Sequence, residues 1–493
     1  MKLFRIAKLS IAAEGHRRAG ARRLVGAVMA AALLACGGLS DCRGADSPAA
    51  PAWLAKPLSL EECLNIALEH NGNVLKSKKD LEATHGVVVQ TRAIAIPKVR
   101  ATGDYEITDE GAVDRLTIDI PPGFPGLGNF TGINPGNQRW SANVRLIQSI
   151  YEGGRMRAAL RTARFTTEQA LAQHNVVLAN TATDVRIAFY DVLLAEQEIV
   201  VNEASVELLS KELEDTKRRF AAGTVPRFNV LRAEVELANA RPKLIRARNS
   251  YRIGKDNLVN LLGYHLPTDI WEDVPIHLSG SLQMDKLEIE LPKALMQALE
   301  RRPELVALRA AQKLRKEGVT TARAGYLPSV QGYVGYGSHN SAFTPDLAND
   351  ISGWQAGVQL SWDLFDGMLT VGKVGQARAL LERSEVETDD SGRQIEMEVR
   401  TAYSNLIESW EVLQSQGKVQ EQAEEALRLA RARGDAGTGT QLDVLSAQTA
   451  LTEARTTQIG AQRDYAVARS RLERAIGAYV PVGPSGQANA TAK

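Results

Sequence analysis

The spacing of apolar positions changes period twice in each half of the chain. Residues Leu60 to about Ile96 read as helix, and Pro97 ends the run because its ring and missing N–H break the hydrogen-bond ladder. The period then drops to two. Trp140, Ala142, Val144 and Leu146 alternate with Ser141, Asn143 and Arg145, which predicts a strand with one apolar and one polar face. Val99 to Ile107 is a weaker strand candidate, joined to the first by a loop rich in Pro and Gly. An uninterrupted helix is predicted from about Arg155 to Ala222. Within it Leu171, Leu178, Val185, Val192, Ile199, Val206, Leu213 and Phe220 recur every seven residues, which implies a left-handed supercoil against partner helices. At about 1.5 Å per residue this helix is on the order of 100 Å long. Gly223-Thr224 then breaks it, Pro226 sits where a new helix can begin, and a return helix runs from about Phe228 to Gly263.

The same series occurs again. AGTVPRFNVLRAEVELANAR from residue 222 and AGTGTQLDVLSAQTALTEAR from residue 436 agree at nine of twenty positions without a gap, a shift of 436 − 222 = 214. At that shift Trp140, Ala142, Val144 and Leu146 fall on Trp354, Ala356, Val358 and Leu360, where the alternation extends through Trp362 and Leu364, and Gly263 falls on Gly477. Upstream the shift is 231, matching Ala67-Leu68-Glu69 to Ala298-Leu299-Glu300 and Pro97 to Pro328. The difference places a 17-residue excess between residues 106 and 140, and an insertion of that kind belongs in an exposed loop. Each unit is therefore helix, two strands, long helix, hairpin tip and return helix.

Lengths constrain the assembly of these parts. The return helix Phe228 to Gly263 and the next unit's first helix, about Leu291 to Tyr326, placed end to end, span about what one long helix spans, with the polar link between them at mid-height. Four strands then gather at one end, too few to close. A barrel needs about eight strands before its interior fits side chains, and an open edge is intolerable in lipid, so chains must pool strands: two give eight, three give twelve.

Composition agrees with long helices. Only 5% of the 493 residues are aromatic, and long stretches consist of Ala, Leu, Glu, Arg and Gln. Net charge is +1, which supplies no field for nucleic acid. Arg17, Arg18, Arg22 and Arg23 precede an apolar run from Leu24 to Ala35, which reads as an export signal over 1–35. No later segment has the roughly 20 consecutive apolar residues of a membrane helix. Leu33-Leu34-Ala35-Cys36 resembles a bacterial lipobox, which makes Cys36 the acylation site; cleavage after Ala45 is the alternative. Cys42 and Cys63 are too few for a disulfide scaffold. The expected division is a linker over 36–57, repeats over 58–263 and 291–477, an equatorial connection over 264–290 and a tail over 478–493.

The signal, the duplicated unit, the Pro after each first helix and the Gly-Thr tips followed by Asn/Asp-Val-Leu resemble the TolC-like outer membrane efflux proteins over residues 58 to about 477. The resemblance implies a mainly α fold with a small β part, in which long coiled-coil helices build a periplasmic α-barrel. It implies a homotrimer with twelve strands in the outer membrane, a channel-tunnel for efflux or type I secretion. Its tips, at Gly223, Thr224, Gly437 and Thr438, would meet a periplasmic membrane fusion (adaptor) protein joined to an inner membrane pump. By the same resemblance Asp443 lines the narrow pore entrance, with Asn229 as its counterpart in the first unit. Relatives carry an Arg where this chain has Gly439, and some a further acid where it has Ser446, so a latch built on that Arg is not expected. Asp443 also has a plainer reading, an acid favoured by the dipole at a helix start.

Other constellations carry little. His16, His70, His85, His174, His265, His277 and His339 lack metal-ligand spacing. Gly126, Gly128 and Gly132 precede no helix with a phosphate-binding Lys. No nucleophile and base stand out, so neither enzyme activity nor a cofactor or metal is expected. The competing function is a periplasmic coiled-coil scaffold that binds partners through its tips without forming a channel. Alternating apolar strands flanked by Trp and Tyr favour the channel.

Overall fold

The computed structural model describes residues 56–112, 137–265, 274–340 and 346–478. The expected signal, Cys36, nearly all of the linker, the centre of the inserted loop and the tail lie outside the described residues.

Two units of the same design follow one another. In the first, α1 (Leu60–His70), α2 (Gly72–Arg92), β1 (Lys98–Ile107), β2 (Gln138–Glu152), α3 (Arg155–Ala221) and α4 (Arg227–Leu261) occur in that order. The second repeats it as α5 (Leu291–Arg301), α6 (Pro303–Arg323), β3 (Ser329–Asn340), β4 (Asp350–Ser361), α7 (Leu369–Asp435) and α8 (Gln441–Ala475). Helix lengths match throughout: 11, 21, 67 and 35 residues in each unit. Tip-to-strand distance is thus built twice to the same measure, about 100 Å for α3 and for α7.

The opening helix of each unit is not continuous. Asn71 adopts extended backbone (φ −60°, ψ 131°) between α1 and α2, and its side chain accepts from the N–H groups of Asn73 and Val74, restarting the helix. Its counterpart Arg302 is also extended, and Pro303 begins α6, where a missing N–H costs nothing. A short 3-10 turn at Ala93–Ala95 precedes Pro97.

These breaks receive the return helices. Asn71 donates Nδ2 to the carbonyl of Leu261 at 2.7 Å, and Gly263 lies against His70 and Asn71. Gly477 lies in the same way against Arg301 and Arg302. The return helix therefore stacks on the opening helix of its own unit, not on that of the following unit as the lengths had suggested. Length alone does not choose between partners of equal size; the capped break does. The result is four columns side by side in the order α2/α4, α3, α6/α8, α7, with the two uninterrupted columns alternating with the two divided ones. The link after α4 crosses the middle of α3, where Gly280 touches Phe189 and Leu193, and reaches Tyr465 of α8.

The heptad seam of α3 is deeply buried only at its centre. Val185 and Val192 are inaccessible, whereas Leu171 and Phe220 near the ends are exposed. A helix flanked by columns on two sides buries two faces, so the single seam of a two-stranded coil is not sustained. The second unit buries Val399, Leu406 and Leu427 and leaves Leu413 partly covered. No helix among the described residues is long and apolar enough to cross a membrane.

All four strands join one antiparallel sheet in the order β1-β2-β3-β4. The register places Tyr105 opposite Trp140, Leu146 opposite Val334, Val144 opposite Tyr336, and Tyr336 opposite Trp354, so apolar residues share one face. Strand β4 ends at Ser361, and the alternating Trp362 and Leu364 continue beyond it without ladder pairing.

Candidate functional site

The tips are closed by the same backbone device. Gly223 (φ 73°) and Gly437 (φ 72°) take the left-handed conformation just past the ends of α3 and α7. Thr224 N–H donates to Arg219 at 3.0 Å and Gly223 N–H to Phe220 at 2.9 Å; Thr438 N–H donates to Arg433 at 3.0 Å and Gly437 N–H to Gly434 at 3.2 Å. This is a Schellman closure, which satisfies the last carbonyls of the helix and suits glycine because no Cβ crowds the positive φ. Each Thr hydroxyl adds a bond to the same carbonyl, Arg219 at 2.8 Å and Arg433 at 3.3 Å. All four tip residues are exposed, and a Cβ on either Gly would meet no heavy atom within 4 Å.

The two helices that leave the tips start differently. Thr440 caps α8, accepting from Asp443 N–H, and Asp443 accepts in return from Thr440 N–H at 2.9 Å and from its hydroxyl at 2.8 Å. Those bonds, with the Arg433 charge nearby, hold the Asp443 carboxyl below its ordinary range, so it is ionised at neutral pH. Asp443 is thus a reciprocal helix cap as well as an exposed charge near the tip. In the first unit Pro226 begins α4 without a side-chain cap, and Asn229 is half-buried. Gly439 packs against Arg433 and Gly434, where an added Cβ would approach to 3.0 Å. A side chain at that position would require its neighbours to give by a few tenths of an ångström. Ser446 bonds back to the carbonyl of Asp443.

The repeated Val-Leu of the tip segment holds the hairpins to the columns. Val230 and Val444 are both buried, but Leu445 is 3% exposed while Leu231 is 49% exposed. Leu445 packs with Leu209, Leu237 and Ala240 because α8 is an inner column; α4 is an outer one and leaves Leu231 uncovered. Gln441 at the start of α8 donates to Thr216 of α3, tying one hairpin to the other.

At the opposite end the sheet shows its apolar face to the outside. Val99, Tyr105, Tyr336, Val358, Leu360 and Trp354, the last at 78%, are all exposed. On the other face Arg145 reaches over Tyr333, 5.7 Å from the ring, and lies on Gly335, where a Cβ would come within 2.8 Å of its side chain. The edges, β1 and β4, have no strand partner among the described residues.

Between these ends sits an ionic junction that the sequence did not announce. Arg302, with 3% of its side chain exposed, pairs with Glu398 at 2.5 Å and Glu304 at 3.0 Å, and Arg474 pairs with Glu398 at 2.6 Å and Glu304 at 3.3 Å. Burial pushes Glu304 up, but the Arg302 hydrogen bond and charge, with Arg474, outweigh it and hold the carboxyl below its usual value. The cluster ties α6, α7 and α8 together at the break. Pro303 marks the break in the chain but not the charges that meet there. Cys63 is buried and free, and burial raises its thiol to about 12, so it is no reactive thiolate.

The profile of the family described as outer membrane efflux protein matches residues 63–264 and 294–478. Outer membrane protein TolC of Vibrio cholerae is 24% identical over 426 residues, covering 85% of this chain and 90% of the relative. Cobalt-zinc-cadmium resistance protein CzcC of Cupriavidus metallidurans is 24% identical over 440 residues, covering 89% and 94%. Among solved structures, the outer-membrane channel OprN superposes with a TM-score of 0.70 at 19% identity, covering 85% of this chain and 89% of that one.

Proposed function

The chain belongs to the outer membrane efflux protein family, and from that premise we propose that it forms the outer membrane duct of a tripartite efflux or type I secretion assembly. As a member of the family it is a channel protein of the bacterial outer membrane, with helices reaching into the periplasm. The observation that carries the finer reading is the four-stranded meander, apolar and exposed on one face and open at both edges, mounted on four columns about 100 Å long. Three copies close twelve strands into a barrel and twelve columns into a tunnel. The outer columns support side-by-side association: α4 exposes Leu231, Val235 and Ile245, and α7 exposes Val386, Met397 and Val419. Their burial between copies would contribute roughly 25 cal/mol per Å² of apolar surface.

In this reading the two tips of each copy give six around the rim, where they meet a periplasmic adaptor, and an inner membrane pump supplies the energy. The duct is passive, so the pump chooses what is exported. Cell fractionation tests the proposal against the scaffold alternative. A trimer in the outer membrane fraction that resists dissociation in detergent until heated is expected; recovery with the soluble periplasm would defeat it.

The pore assignment of Asp443 has its own test. Three carboxylates converging near a narrow rim attract cations where screening by solvent is weak. Asp443→Asn removes the charge and leaves an acceptor for Thr440 N–H. In planar bilayers at low ionic strength it should lower the cation-to-anion permeability ratio, on the order of twofold, and Asn229→Asp should raise it similarly. If neither variant changes the ratio, Asp443 is only a helix cap.

A further inference from the structure

Where the second unit passes from sheet to helix, a groove of about 540 Å³ lies between the end of α6 and the start of α7. Its wall is apolar, formed by Tyr326, Leu327, Val371 and Val374, and two arginines, Arg323 and Arg378, complete the lining. Both arginines are exposed, and neither pairs with a carboxylate among the described residues.

The groove continues the apolar face of the sheet. Trp362 stands next in the alternating row of Trp354, Val358 and Leu360 and donates its indole N–H to the carbonyl of Tyr326 at 3.2 Å. Beside it the turn from β4 into α7 presents Leu364 at 82% exposure and Phe365 at 81%, with Met368 and Leu369 also exposed. Met368 holds a positive φ of 69°, while Asp366 steadies the turn by accepting from Thr370 N–H at 2.8 Å. The corresponding turn of the first unit exposes Ile150 and Tyr151 in the places of Leu364 and Phe365 but has Gly154 and Arg155 where the second has Met368 and Leu369, so the apolar projection is larger in the second unit.

We propose that this groove binds an anionic phospholipid of the periplasmic leaflet, its phosphate held by Arg323 and Arg378 and its acyl chains laid along Tyr326, Leu327, Val371 and the exposed turn. Charge complementarity and continuity with the lipid-facing sheet select this occupant. Two guanidiniums offer forked donors to a phosphate, and aromatic side chains with an apolar body and a polar edge settle at the headgroup level. A protein ligand would meet no such match of cations above an apolar wall that opens onto the bilayer. The inference rests on the sheet being the membrane-inserted part. Conductance of the same unmodified preparation tests that premise separately.

The full chain, purified from outer membranes in mild detergent, is titrated with phosphatidylglycerol and followed by native mass spectrometry. One phosphatidylglycerol per chain is expected to survive gentle activation. The double variant Arg323→Gln/Arg378→Gln should weaken retention about tenfold, while Arg164→Gln, an exposed arginine away from the groove, should leave it unchanged. Phosphatidylcholine should bind at least severalfold more weakly. Equal retention by the double variant, equal binding of phosphatidylcholine, or full displacement by millimolar inorganic phosphate would each overturn the assignment, the last by marking a site for free phosphate.

Discussion

Gly263→Ala should lower the stability of the folded chain by about 3 kcal/mol, the sum of a left-handed penalty of about 1 kcal/mol and overpacking of about 1–3 kcal/mol. The added Cβ would lie 2.1 Å from the His70 carbonyl oxygen and 2.5 Å from its carbon, both backbone atoms fixed between α1 and α2. Relief requires the α2/α4 column to part, which also stretches the Asn71 bond to the Leu261 carbonyl. Gly477, the matching residue, has φ 68° but only contacts of 3.2 to 3.4 Å with Arg301 and Arg302, so Gly477→Ala should cost mainly the conformational penalty, about 1 kcal/mol. Apparent melting temperatures of the purified variants should rank wild type, then Gly477→Ala, then Gly263→Ala well below both. Equal losses would mean that the two junctions are packed alike and that the tight contact at Gly263 is not present in the folded protein.

Export should vanish in Gly223→Glu and in Gly437→Glu while the amount of assembled protein stays near normal. No heavy atom lies within 4 Å of the space a Cβ would occupy at either tip, so the fold bears only the strain of a non-glycine residue at positive φ, about 1 kcal/mol. The new carboxylate instead projects from the outermost turn of the molecule, on the surface proposed to meet the adaptor. Gly223→Ala and Gly437→Ala carry the same strain without bulk or charge and should retain most export, which separates docking from folding. Drug susceptibility or secretion assays in a strain lacking the native gene supply the readout, with outer membrane protein levels measured in parallel. Normal export by both glutamate variants would remove the tips from the adaptor interface.

The parts that could be read without coordinates are those whose causes are local. A long run without Gly or Pro gives a helix whose predicted span, about Arg155 to Ala222, is within a residue of α3. Gly-Thr after such a run forces the left-handed closure seen at Gly223 and Gly437. Strict alternation around Trp140 and Trp354 gives strands with one apolar face, and duplication, at a shift of 231 before the inserted loop and 214 after it, makes whatever the first unit builds appear twice. The charge at the tip is legible as well, since Asp443 stands at a helix start, but its reciprocal bonding with Thr440 is seen only in the fold.

Tertiary structure decided which equal parts are neighbours. Two helices of 35 residues and two of 21 admit more than one end-to-end pairing, and sequence length is blind to the difference. The pairing is fixed by Asn71 reaching Leu261, 190 residues away, and by Arg474 reaching Glu304, 170 residues away, contacts for which no local pattern exists. Position in the array likewise separates Leu231 from Leu445, identical in motif but opposite in burial, because one lies on an outer column and the other between two neighbours. The sequence by itself determined the long helices, the strands and their twofold repetition, since these follow from backbone preference and periodicity along the chain, whereas the breaks at Asn71 and Arg302 emerged only in the fold. Only the folded chain determined stacking, junction chemistry and which apolar faces stay exposed, since those depend on the distant surfaces that each element meets.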